Sequence, residues 1–190
     1  GENKGFVGFP QRVNWKFEYR GAKHFIPFIY RFSKGIVFDI ITILNEKEIR
    51  EFVEKYETIE DRLTSLERRC AEQEHPYQSV SIKDIWINGN RIVDGHSSSS
   101  SVNIPSLQDN PELNPIKKAY SSILKDKDSF GCARYCIPYP KTDSKIQKIL
   151  RYLCLDRVKS MKFSSHPVYW FFPLDIYFEM NVEEEQKEIS

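Results

Sequence analysis

The sequence predicts an α+β fold: a largely antiparallel, twisted sheet with one long helix and two shorter helices packed mainly on one face. Three observations predict it. Period-2 apolar alternation recurs in runs bounded by turn residues, helical periodicity is confined to a few segments, and strands come in runs rather than in strict βα alternation. With 190 residues, 40% of them hydrophobic and 29% charged, the chain can bury a substantial core. It reads as one domain over 1–190, with 1–11 and 181–190 loosely held.

From Val13 the apolar residues Val13, Trp15, Phe17 and Tyr19 alternate with Asn14, Lys16, Glu18 and Arg20, the pattern of a half-buried strand. Gly21 marks a turn. Residues 25–32 form a second apolar run in which Pro27 lacks a ladder donor and implies an edge or a bulge. Residues 36–44 are almost wholly apolar, as in a strand covered on both faces. Three strands with short turns make an antiparallel meander.

Asn45 then caps a helix read over 46–73. Its apolar residues Ile49, Phe52, Tyr56, Ile59, Leu63, Leu66 and Cys70 step alternately by three and four. Such a seam suits a helix lying across a sheet, and it would also serve a homodimer through this helix. Val53 widens the stripe, which favours the sheet. Thr58 and Asp61 resemble a capping box, compatible with a break near Glu57.

Residues 79–88 alternate as a strand, and Asn88-Gly89-Asn90 is a hairpin turn. Residues 94–112 read as a long Ser-rich loop with a short strand near Val102, 115–124 as a short helix and 130–137 as a strand. Asp143 or Ser144 caps a helix whose stripe is Ile146, Ile149, Leu150, Leu153 and Cys154. Residues 157–163 and 168–178 read as a hairpin, with Trp170 expected in the same sheet as Trp15.

The formal net charge of +1 gives no global field for steering nucleic acid or an anionic membrane, and neither is expected as a partner. The basic excess over 117–162 reads as a solvated face. Four cysteines in a chain this apolar read as free thiols of a reduced, cytoplasmic protein. No apolar run reaches membrane-spanning length, and no cofactor motif is present.

Two clusters could carry chemistry. Glu72 and His75, three apart at a helix end, could meet a divalent metal. Asp39, Asp84 and Asp175 each sit among large apolar neighbours. Were their strands adjacent, they would converge with Tyr169, Tyr177 and Glu179 on one polar patch in an aromatic surround, the make-up of a ligand pocket. With 13 Phe, 10 Tyr and 3 Trp, rings are in surplus on both strand faces. The leading expectation is therefore a non-catalytic module binding a small molecule or protein on an aromatic-rich sheet face. The alternatives are a hydrolytic enzyme using the strand carboxylates with the Glu/His cluster, and a self-associating structural protein.

Overall fold

Alternating β-branched and aromatic residues form strands wherever one side can be buried, and three such runs open the chain. The computed structural model describes residues 8–59, 62–171, 179–182 and 186–189. It places β1 at Phe9–Tyr19, β2 at Ala22–Arg31 and β3 at Gly35–Ile43, paired as the expected antiparallel meander. Arg20 and Gly21 both have positive φ, the geometry of the two-residue turn that joins twisted strands. Residues 9–11, expected to be loose, already belong to β1, and Gln11 is buried.

β7, Phe130–Pro138, pairs with β3, and β6, Ser97–Asn103, pairs with β7, giving the order β1-β2-β3-β7-β6. The serine run is thus an edge strand and not a loop. Its side chains gave no signal because they are exposed; main-chain bonds to β7 recruit it.

A second antiparallel sheet has the order β11-β8-β4-β5, from Gln186–Ile189, Met161–Ser165, Ile82–Ile87 and Asn90–Arg91. The Asn88-Gly89 turn joins β4 to β5 as expected. Among the described residues the expected hairpin of 157–163 with 168–178 is not formed, and 172–178 lie outside them. β8 pairs with β4 and β11, whereas β9, Val168–Phe171, pairs with β10, Glu179–Val182. Trp15 and Trp170 therefore stand in different sheets. Within 181–190, expected to be loose, residues 181–182 and 186–189 are strand.

The two larger sheets face one another across the main core. Trp15, Ile26, Phe38 and Tyr135 come from the first, and Ile85, Ile87, Met161 and Phe163 from the second. The outer face of the first sheet carries Ile41 and Cys132 against Leu113, Tyr120 and Leu124. Leu113 ends a 3-10 turn at Pro111–Leu113, Leu124 ends the short helix α4 at Ser121–Leu124, and Tyr120 joins α4 to the preceding short helix α3 at Asn114–Ala119.

The fold-class expectation needs correction. The protein is sheet-rich, 27% helical and 39% strand, and no helix among the described residues is long. Residues 46–73 divide into α1, Glu46–Tyr56, and α2, Ser65–Glu74. Asn45 caps α1 as expected, its Oδ1 accepting from Lys47 N–H at 2.9 Å. α1 ends at Tyr56 with Glu57 as its C-cap, at the expected break, and α2 is started by a capping box six residues beyond the expected pair, Asp61 of which lies outside the described residues. Thr64 Oγ1 accepts from Glu67 N–H at 3.2 Å, and Glu67 Oε2 accepts from Thr64 N–H at 2.6 Å. The seam needed for dimerisation through one continuous helix is thereby interrupted. Replacing Thr64 by Ala should cost about 1 kcal/mol in urea unfolding, the usual worth of an N-cap. An unchanged midpoint would show that this box does not hold α2.

Candidate functional site

A carboxylate in the middle of an apolar strand must find partners or lose its charge. Asp39 on β3 lies opposite Arg134 on β7 and is fully buried. Its Oδ1 accepts from Arg134 Nε at 2.8 Å and its Oδ2 from Arg134 Nη2 at 3.0 Å. Tyr120 Oη donates to Oδ2 at 2.6 Å. The partner is the cross-strand Arg134. Burial and the adjacent Asp39 raise the Tyr120 phenol. Burial, with Asp39 beside it, pushes the Cys132 thiol up to about 12. Both groups stay protonated, and with both oxygens bonded Asp39 acts as a clamp tying β3, β7 and the helical cover together.

Asp84 sits on β4 of the other sheet and accepts from Arg91 Nη2 at 2.9 Å, which holds its carboxyl below the usual range. Its neighbours Ile85 and Ile87 point into the core between the sheets, so Asp84 faces away from it. Asp39 faces outward from the opposite sheet, alongside Ile41 and not Phe38. The two aspartates share no face. Tyr169 is exposed on β9, Glu179 lies in β10, and Asp175 and Tyr177 fall outside the described residues.

Glu72 is exposed and His75 half-buried at the end of α2. The His75 ring packs edge-on against Phe52 at 5.2 Å, and its Nδ1 accepts from Tyr77 N–H at 3.0 Å. His75 lines a cleft of about 750 Å³ between α1, α2 and the β1–β2 turn. Glu74 there accepts from Lys55 Nζ at 2.8 Å and Tyr56 Oη at 2.6 Å. Burial opposes its ionisation, but these two donors prevail and hold the carboxyl below the usual range. Among the described residues no group of three or more His, Cys, Asp or Glu is placed to hold a metal ion. All four cysteines are free.

The concavity on the outer face of the first sheet arises from broken register. β1 and β2 shift between Arg12 and Trp15, and β2 and β3 shift between Phe25 and Ile29, spanning Pro27. Asn14 adopts positive φ inside the first irregularity. Bulges bend strands and re-aim side chains. Here the two fall side by side and open a cavity of about 570 Å³. Trp15, Phe25, Pro27 and Ile43 of the sheet and Ile123 and Leu124 of α4 give it apolar walls. Lys16, Lys125 and Lys127 also line it.

No family model matches this chain, and no curated protein or solved structure does either.

Two features set this cavity apart. Lys125 has φ 52° and ψ −124°, a conformation costly for any residue with a Cβ and characteristic of functional segments. Lys117 pairs with Asp128, but neither Lys125 nor Lys127 forms an ion pair with a described carboxylate. Lys16 Nζ stands over the Phe25 ring at 5.8 Å. Sequence reasoning chose the aspartates and missed these lysines. The usable signal was Pro27 within an apolar strand, which announced the bulge but not what lies across from it.

Proposed function

We propose that this chain is a non-catalytic binding module that takes a small, largely apolar anion on the ring-rich face of its first sheet. The observation that carries the reading is the cavity at the paired bulges, with aromatic and aliphatic walls and three lysines. A pocket of several hundred Å³ with apolar walls and a few placed polar groups is the ordinary form of a small-molecule site. An ammonium group at the edge of low-dielectric walls attracts a carboxylate or phosphate more strongly than one in open water. The clamped state of Asp39 and Glu74 supports binding over hydrolysis, since a carboxylate already bonded through its oxygens is a poor general base.

Laurate below its micellar concentration is a direct probe. Titration into labelled protein should shift the amides of Asn14, Lys125 and Lys127 saturably. The double variant Lys125→Glu, Lys127→Glu should bind about tenfold more weakly or worse, equivalent to about 1.4 kcal/mol. Shifts that never saturate, or equal affinity in the double variant, would remove the proposal.

A further inference from the structure

A short surface helix normally turns its apolar stripe inward. The helix α5, Lys145–Tyr152, does the reverse. Ser144 caps it, its Oγ accepting from Gln147 N–H at 3.3 Å, and the stripe read from the sequence lies on one side. That side faces out: Ile146 is 72% exposed, Ile149 57% and Leu153 51%. Leu150, Tyr152 and Leu155 are exposed as well.

What holds the helix to the body is its polar side. The Arg151 guanidinium lies over the Tyr139 ring at 4.8 Å, donates to the Pro140 carbonyl and stands 3.7 Å from Asp156. Its side chain is only 12% exposed. The inversion is thus anchored by an arginine that would ordinarily face water, leaving a contiguous apolar surface of the kind that marks an interaction site.

The charge around this surface selects among partners. Lys141, Lys145, Lys148, Arg157 and Lys159 are exposed, whereas Asp143 is the one exposed carboxylate over 141–159, Asp156 standing beside Arg151. A helix with an Ile/Leu face, a flanking Tyr and basic neighbours matches the interfacial zone of an anionic bilayer. Its side chains enter the acyl boundary while the nearby cations are attracted by the surface charge. No helix among the described residues is long and apolar enough to cross a membrane; lying on one is a different interaction.

We infer that α5 is a membrane-surface anchor, seating Ile146, Ile149, Leu150 and Leu153 in anionic lipid. The test is co-sedimentation of the whole chain with vesicles of phosphatidylcholine alone and with 30% phosphatidylserine. Binding should appear with the anionic vesicles, weaken at least tenfold at 0.5 M salt, and be lost in Ile149→Glu, Leu153→Glu. Those residues are exposed, so the variant should keep its circular dichroism and unfolding midpoint. Lys145→Glu, Lys148→Glu should weaken binding without touching the apolar stripe. Failure to bind anionic vesicles overturns the inference. Equal binding to neutral ones overturns it too, as does a wild-type dimer that Ile149→Glu, Leu153→Glu converts to monomer, because the stripe is then an interface between copies.

Discussion

Replacing Arg134 by Met should destabilise the protein by about 3–5 kcal/mol, the cost of leaving a buried charge without its partner. Replacing Asp39 by Asn should cost less, about 1–2 kcal/mol. The asymmetry follows from where the two ends of the pair sit. The Asp39 side chain is fully buried, while that of Arg134 is 49% exposed. Without Asp39 the guanidinium can turn to water. Without Arg134 the carboxylate keeps only the Tyr120 hydroxyl among its present donors. The double variant Asp39→Leu, Arg134→Met should recover much of the loss, since it leaves no buried charge and restores apolar contact between β3 and β7. Urea midpoints of the three variants read this directly. Equal losses in the two single variants would mean that desolvation of Asp39 is not the dominant cost.

That clamp also shows how far the sequence can be read. Asp39 was visible as a carboxylate that had to be paired, because IVFDIITI leaves it no polar neighbour. Its partner was not visible, because Arg134 is brought opposite only by the β3–β7 register, across 95 residues. The meander, the Asn88-Gly89 turn, the Asn45 cap and the α5 stripe were legible for the converse reason: each depends on residues within one turn or one strand. The even stepping from Ile49 to Cys70 misled, since a periodic apolar pattern continues through a break; the break near Glu57 that capping residues suggested is where α1 ends, and the box at Thr64 and Glu67 starts α2. Asp84 did not join Asp39 because the order of strands in two sheets is a property of the whole chain. Nor does a stripe state which way it faces. In α5 that was decided by Arg151 finding Tyr139 and Asp156.

Acid should destabilise this fold well above the range in which its carboxylates titrate, and His24 is the reason. The ring is fully buried on β2, stacked on Phe17 at 5.2 Å, with Nδ1 2.6 Å from Thr42 Oγ1 and Nε2 3.4 Å from the Tyr19 carbonyl. Burial lowers its pKa from 6.5 to about 4, against a smaller upward pull from the Tyr19 carbonyl. Between those values the unfolded chain binds a proton that the native state refuses, so stability rises with pH across the window. It is complete above 6.5 and is lost as pH falls toward 4, by about 3 kcal/mol in total. Glu67, Glu74 and Asp84 are held below the usual carboxylate range, so their contributions are lost at lower pH still. Urea unfolding between pH 7 and 4.5 should therefore show a slope that His24→Gln flattens, since an amide there keeps hydrogen-bonding capacity toward Thr42 but takes up no proton. Parallel pH profiles for the wild type and His24→Gln would place the acid sensitivity elsewhere.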